Sequence, residues 1–403
     1  MYVAKFTDSA IIIPLRRLFF AFLFSEIFRG PDACGKVFLL RISGLMFRFC
    51  LSFGVIVADS PLSFEQPIYD LEVRLEEMPK NNPSPEIREE IQRLKLGLSD
   101  LKKKIYSNLT RWQVVEISRH PKRPQTADYL DLVFDEFVEL HGDRLFGDDR
   151  ALITGWAKLD GIKVMVVGHQ KGHTVNDRMA CNFGCAHPEG YRKAVRKMKL
   201  AAKFGLPVIC FIDTPGAYPG IASEERGVAE AIAEAMYEMS ILPTPIVCVV
   251  IGEGGSGGAL GIGVGDKVAM LQYAYYSVIS PEGCSGILWK SEKFKDKAAE
   301  ALKFTSSDLL KLGVIDKVIG EPLGGAHRDP RMMASRLKQY LRAQIRLLNR
   351  VPIEKLLDAR YQRFRDYGVF FDNEQAAAAA FQRGSFFPAD EPKNTGNEKP
   401  AEK

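Results

Sequence analysis

Residues 249–265 read VVIGEGGSGGALGIGVG, an apolar, β-branched run that breaks into glycine at 252, 254, 255, 257, 258, 261, 263 and 265. A strand that opens into so many missing side chains has three possible chemistries. Gly252, Gly254 and Gly257 satisfy the G-x-G-x-x-G spacing of a dinucleotide loop. Gly254, Ser256 and Gly258 satisfy the G-x-S-x-G of a serine-hydrolase elbow. The doublets Gly254-Gly255 and Gly257-Gly258 also suit a backbone cradle for a developing oxyanion, with no catalytic side chain.

The dinucleotide reading needs a helix of some length and an acid about 20 residues on. Here the next helical run is brief and punctuated by Gly261, Gly263 and Gly265, and the acid, Asp266, comes too soon. The elbow reading needs a later acid and histidine, and only His327 lies downstream, in the loop-like GEPLGGAHRDP. The cradle reading uses the glycines directly. Without Cβ atoms, consecutive N–H groups at a strand-to-helix turn can converge on a negative oxygen. One such donor is worth roughly 3 kcal/mol at a transition state. It is the reading preferred, with a serine hydrolase using Ser256 as the alternative. Gly261, Gly263 and Gly265 are expected to serve close helix–strand packing.

Outward from this stretch, strands and helices alternate. Toward the N-terminus lie strand PVICFID, loop TPGAYPGIA, helix SEERGVAEAIAEAMYEMSIL, and a helix HPEGYRKAVRKMKLAAKFG that Gly205 is suited to end. Two strands in ALITGWAKLDGIKVMVVGHQ meet at an Asp160-Gly161 turn. DYLDLVFDEFVELHGD before them reads as helix. Further upstream, FEQPIYDLEVRLEEM and a stripe at Ile87, Ile91, Leu94, Leu98, Leu101 and Ile105 predict a helical hairpin. That hairpin packs either on the body or on a partner chain. Toward the C-terminus follow strands DKVAML, YYSVIS and VIDKVIG, short helices, and long helices over about 329–348 and 352–367. The class is α/β with a mixed sheet, its units ββα as often as βα.

Composition narrows the field. The chain has 403 residues, a formal net charge of +5, 46% hydrophobic and 26% charged residues, ordinary for a soluble enzyme. A charge this diffuse gives no footprint for nucleic acid. Cysteines at 34, 50, 181, 185, 210, 248 and 284 include no C-x-x-C pair, so no metal site is expected. Cys210 and Cys248 fall inside strand patterns and read as reduced core thiols of a cytoplasmic protein. Residues 1–62 mix charges with apolar runs too short to span a bilayer, which takes about 20 residues. They read as an extension that is disordered, or that is not made because translation starts near Met46. The tail over 371–403 reads as disordered.

Several blocks in order, IDTPGAYPG, EERG, VIGEGGSGGALGIGVGDKVAMLQY and YSVISPEGCSGILWKS, resemble the carboxyltransferase α-subunit family of multisubunit (bacterial and plastid-type) acetyl-CoA carboxylase. RHPKRPQTADY, GHQKG, NFGCAHPEGYRKA, EPLGGAHRDP and RYQRFRDYG extend the resemblance from about Phe64 to Gly368. The resemblance implies a crotonase-type spiral of ββα units over 116–350, an N-terminal helical hairpin over 63–115 and a C-terminal helix over 351–370. It implies transfer of a carboxyl group from carboxybiotin, carried on a biotin carboxyl carrier protein, to acetyl-CoA, giving malonyl-CoA for fatty acid synthesis.

Carried onto this sequence, the N–H groups of Gly257 and Gly258 would hold the ureido oxygen of biotin, with Gly254 and Gly255 shaping the turn. The loop Asp213, Thr214, Pro215, Gly216, Ala217, Tyr218 and Gly220 would line the substrate channel. Glu253 reads as turn-holding. The resemblance further implies a zinc-ribbon carboxyltransferase β subunit that shares acetyl-CoA, a heterotetramer of two α and two β chains, and a biotin carboxylase that alone uses ATP. No cofactor is expected to be covalently bound. RKAVRKMK (192–199) is open to two readings, a site attracting CoA phosphates or a partner surface, or a solvated helix face. His120, His169, His173 and His187 have no ligand spacing and read as structural or surface residues.

Overall fold

A computed structural model describes residues 61–79 and 84–368; the extension before residue 61 and the tail over 371–403 lie outside the described residues. An eight-stranded sheet organises the chain. Strands β1 (Glu136–Glu139), β2 (Leu152–Leu159) and β3 (Ile162–His169) are antiparallel neighbours. From β3 the order continues in parallel through β4 (Val208–Thr214), β5 (Ile246–Gly255), β6 (Lys267–Leu271) and β8 (Lys317–Ile319). Strand β7 (Tyr275–Ser277) leaves this order and pairs with the last three residues of β5. Among the described residues two consecutive strands lead into helices twice: β2 and β3 before Val175–Ala180 and Pro188–Lys203, and β6 and β7 before Pro281–Trp289. The units between carry one strand each.

The pattern of apolar residues explains this order. VICFIDT and IVCVVIGEGG are buried at every position, as central parallel strands covered on both faces must be. Each fully buried Val, Ile or Phe contributes about 1.5–3 kcal/mol. The β2–β3 connection has φ of 47° at Asp160 and 78° at Gly161, two left-handed residues that match the twist of a two-residue hairpin. The helix Pro188–Lys203 stops at Gly205, φ 65°.

Two expectations differ from what is observed. DYLDLVFDEFVELHGD is helical only over Thr126–Val133, then becomes β1. The competing force is tertiary: Gly155 in β2 leaves room for the Phe137 ring, which an ideal Cβ would meet at 2.5 Å. SEERGVAEAIAEAMYEMSIL is two helices, Ile221–Glu225 and Val228–Ile241, parted by Gly227 at φ 76°.

The two N-terminal helices, Gln66–Glu77 and Pro85–Tyr106, are tied by Lys102–Glu72 at 2.6 Å. Leu98, Leu101 and Ile105 pack with Ile68 and Tyr106 against Val114, Ile117 and Tyr273 of the body. Among the described residues no helix is long and apolar enough to cross a membrane.

The C-terminal helix Ile353–Arg365 is held by Leu356 in the core, by an Arg363–Asp316 ion pair at 2.6 Å, and by the buried cation of Arg360. Arg360 is fully buried and donates to both oxygens of Asp266 and to the carbonyls of Met239, Leu242 and Thr244, all within 2.7–2.8 Å. Arg360→Ala leaves the Asp266 carboxylate buried with no cation beside it. The expected cost is about 3 kcal/mol, read as a lower denaturant midpoint. A midpoint equal to wild type would show that this cation does not contribute to global stability.

Candidate active site

The two sequence-flagged loops lie 40 residues apart in the chain and touch in space. β4 and β5 are parallel neighbours with Thr214 opposite Gly254, so both loops leave the carboxyl end of the sheet side by side. Their backbones are closer than side chains would allow. A Cβ on Gly255 would stand 2.2 Å from the Pro215 carbonyl oxygen, and one on Gly258 2.5 Å from Ala217 N and from Gly216 C. On Gly254 it would meet the Tyr276 ring at 2.7 Å. Packing therefore accounts for these three glycines. Gly257 is different: its nearest neighbour would be Ile232 Cδ1, at an ordinary 3.7 Å. Gly261 and Gly265 abut the Tyr191 ring and Cys248 Sγ, the packing role expected of them.

After Gly255 the chain turns into a helix of five residues, Ser256–Leu260. First-turn N–H groups have no acceptor within their helix, and none of the turn, loop and side-chain hydrogen bonds seen among the described residues takes those of Gly257 or Gly258. Five residues are too few for a useful macrodipole, so the donors themselves carry any anion affinity. Ser256 has φ 50°, a left-handed conformation uncommon outside glycine and the one a nucleophile elbow would use. Among the described residues no base is hydrogen-bonded to its hydroxyl. His327 is stacked on His120 with ring centroids 3.9 Å apart. His169 is fully buried, and burial together with nearby Lys171 lowers it to about 3, leaving it neutral. His187 bonds to Ser223 and His173 to Asp128.

The loop residues divide into floor and wall. Asp213 is buried, accepting from Glu253 N at 2.9 Å and from Lys171 Nζ at 2.6 Å. Thr214 is fully buried, its hydroxyl 2.6 Å from the Gly184 carbonyl and accepting from Gly216 N. Pro215, Gly216 and Ala217 supply the backbone against which Gly255 and Gly258 pack. The Tyr218 ring lies 4.2 Å from that of His187, and Gly220 leaves space for the same ring while capping the helix Ile221–Glu225.

Beneath both loops runs an ion network that sequence patterns did not reveal. Lys171 Nζ is 2.6 Å from Asp213 and 2.5 Å from Glu253. Glu253 also receives Arg119 Nε at 2.7 Å and the Tyr275 hydroxyl at 2.8 Å. Arg119 continues to Glu282, and Arg123 pairs with Glu321 and donates to the Ile251 carbonyl. Burial alone would raise the Glu253 carboxyl, but Lys171 and Arg119 bring it down to about 2. Burial would lower the Lys171 ammonium, and the two carboxylates more than offset it, so its pKa is raised. Glu253 is thus a fixed anion pinning the turn.

Two cavities flank the loops. One of about 320 Å³ lies over the ion network, with Arg119, Arg178, Phe183, Asp213 and Pro215 in its wall. The other, about 840 Å³, is lined by Ser256, Leu260, Tyr237, Tyr361 and Phe364 among others. In the basic run 192–199, Lys193 and Lys197 are buried and hold the loop 141–149, while Arg196 and Lys199 stay exposed, Lys199 pairing with Glu238.

Comparison with known proteins gives the same answer along the whole described body. The family described as acetyl co-enzyme A carboxylase carboxyltransferase-like matches residues 61–368. The acetyl-coenzyme A carboxylase carboxyl transferase subunit alpha of Rhodopirellula baltica is 61% identical over 317 residues, covering 78% of this chain and 99% of that one. The protein of the same name from Methylococcus capsulatus is 56% identical, covering 77% and 97%. A transcarboxylase 12S structure aligns with 54% of this chain and 42% of its own, at 22% identity and a TM-score of 0.44, too partial a likeness to carry an argument. The matched span runs from the N-terminal hairpin through both glycine loops to the Arg360 helix, and on that basis the chain belongs to the acetyl-CoA carboxylase carboxyltransferase family, as an α subunit.

Proposed function

We propose that this chain stabilises the biotin side of carboxyl transfer, with Gly257 and Gly258 N–H donating to the ureido oxygen as carboxybiotin gives up its carboxyl group. The carrier-borne biotin is a substrate: its N–C bond breaks, a C–C bond forms at the acetyl-CoA methyl carbon, and malonyl-CoA results. The observation that carries this reading is that Gly257 and Gly258 fall in the first turn of the helix Ser256–Leu260, where N–H groups have no partner within the helix, beside the Gly216–Ala217 backbone. Preorganised donors of this kind stabilise charge that develops only in the transition state. The biotin nitrogen freed of its carboxylate can take the acetyl proton, so this chain needs no base. That agrees with Glu253, the acid beside the loop, being held ionised by Lys171 and Arg119.

The relatives' name, a subunit, implies a multisubunit assembly. On our reading it holds two α and two zinc-ribbon β chains sharing acetyl-CoA, supplied by a biotin carboxyl carrier protein and an ATP-using biotin carboxylase in the cytoplasm. The test is malonyl-CoA decarboxylation with free biotin, run with this chain alone and with its β partner. Turnover only in the mixture supports a shared site; turnover by this chain alone overturns it.

The left-handed Ser256 keeps a hydrolase as second reading. Ser256→Ala is expected to retain the partner-dependent rate within about threefold, since it removes no backbone donor. Labelling of Ser256 by a fluorophosphonate, with ester hydrolysis lost in the alanine variant, would favour the elbow instead.

A further inference from the structure

The loop His141–Asp149 between β1 and β2 is exposed at its tip yet tied down along its length. Leu145 is 78% and Phe146 64% exposed, adjacent large apolar side chains facing solvent. A mobile loop would be free to turn them inward; this one is prevented from doing so. One oxygen of Asp143 accepts the N–H groups of Leu145, Phe146 and Gly147, each at 2.9 Å, while its other oxygen receives Arg192 at 3.0 Å. Lys193 reaches Asp148 at 2.5 Å, and Lys197 donates to the carbonyls of His141 and Gly142. The Arg226 guanidinium covers the inner side of the Phe146 ring, 4.3 Å from its centroid. At the turn itself Arg144 has φ 60°, a conformation kept only where the surroundings enforce it.

Three cations of the helix Pro188–Lys203 are thus used to fix a short loop whose apolar side chains touch little within the chain. Rigid, exposed apolar anchors are what a protein interface uses, because docking them costs no loop ordering. Their surroundings point to who docks. The same loop's Asp149 accepts the His187 N–H at 2.7 Å, and the His187 ring packs on Tyr218 in the wall of the candidate active site. Arg226 also contacts His187, at 3.2 Å. The knob therefore shares its supports with the rim of the site. Arg144 and Arg150 flank it, exposed and with no carboxylate partner among the described residues.

We propose that Leu145 and Phe146 form the anchor by which the subunit that completes the active site docks on this chain. They would enter an apolar cleft rimmed by carboxylates that meet Arg144 and Arg150. The proposal rests on the shared-site reading above and adds the surface through which sharing occurs.

The test is the double variant Leu145→Ala/Phe146→Ala, mixed with the β partner and followed by sedimentation and by malonyl-CoA decarboxylation across a partner titration. Both side chains are exposed and only the Arg226 contact of Phe146 is lost, so the melting temperature should fall little. The expected result is a Kd for the partner raised at least tenfold, with the wild-type rate recovered at saturating partner. Arg144→Glu should also weaken association, and its effect should shrink at high salt. Unchanged partner affinity in the double variant would overturn the proposal, as would a loss confined to self-association of this chain. A wild-type mixture that associates yet does not decarboxylate would instead count against the proposed function, leaving the docking measurement to be read separately.

Discussion

Gly258→Val should lower partner-dependent malonyl-CoA decarboxylation by about 10²–10³-fold, the usual consequence of losing an oxyanion donor. The geometry gives two causes that act together. An added Cβ would stand 2.5 Å from Ala217 N and Gly216 C, backbone atoms that cannot swing aside as a flexible side chain can. The 215–218 backbone must retreat, and the Gly258 N–H must turn away from its present direction. The β-branch then shields whatever donor remains. Partner association should persist, because the change lies between the two loops and not on the knob at Leu145 and Phe146. A rate within threefold of wild type, with association intact, would end the oxyanion assignment.

Gly257→Ala separates chemistry from packing. Its Cβ would find only Ile232, at 3.7 Å, so the variant should fold and melt as wild type does. Nothing among the described residues requires glycine at 257. If the guest approaches that face, the methyl group alone should slow decarboxylation by about tenfold, the effect of roughly 1.4 kcal/mol. An alanine variant with wild-type melting and wild-type rate would place the guest elsewhere and leave Gly258 as the donor to test.

How much of this could be read in the sequence depends on the kind of force involved. The central strands were legible because complete burial leaves a continuous apolar run, as in VICFID and IVCVVI. The Asp160-Gly161 hairpin and the Gly205 stop were legible because left-handed backbone selects particular residues. The glycine loop announced itself for the same reason, although which of its glycines serve packing and which leave an open donor required the position of Pro215, Gly216 and Tyr276. Strand β1 was not legible: FVEL carries helical periodicity, and only the slot beside Gly155 makes it a strand. Least visible was the ion network. Lys171, Arg119 and Tyr275 sit in three distant segments with no shared period, and a charged residue carries no mark in sequence of whether it faces water or another charge. The basic helix shows the same limit, since Lys193 and Lys197 read as surface residues and are buried struts.

That network is where the second large effect is expected. Lys171→Met keeps the length of the side chain and removes the charge between Asp213 and Glu253. The Lys171 side chain is only 16% exposed, and those of Asp213 and Glu253 5% and 8%, so water replaces little of what is lost. Two neighbouring carboxylates then share a buried site with Arg119, and with Arg123, already paired with Glu321, to balance them. The destabilisation should approach about 5 kcal/mol, the upper end for breaking a buried ion pair, and lower the melting temperature by roughly 10 °C. Its pH dependence identifies the cause. In the wild-type chain Glu253 is depressed from 4.5 to about 2, so its contribution is fully present above pH 4.5 and disappears as pH falls toward 2. In the variant Glu253 keeps the burial that raises its carboxyl but loses Lys171, the largest charge lowering it, so its folded-state pKa moves up. Protonation then costs the variant less than it costs wild type, and the variant's deficit should be largest near neutral pH and shrink on acidification. Adding Asp213→Asn to the variant should recover part of the loss, because the amide oxygen can still accept the Glu253 N–H while one buried charge is gone. A deficit that stays constant from pH 7 to pH 4, with no recovery in the double variant, would mean that Lys171 acts through packing alone. In that case the two active-site loops are held together by their glycine contacts, and not by the charges beneath them.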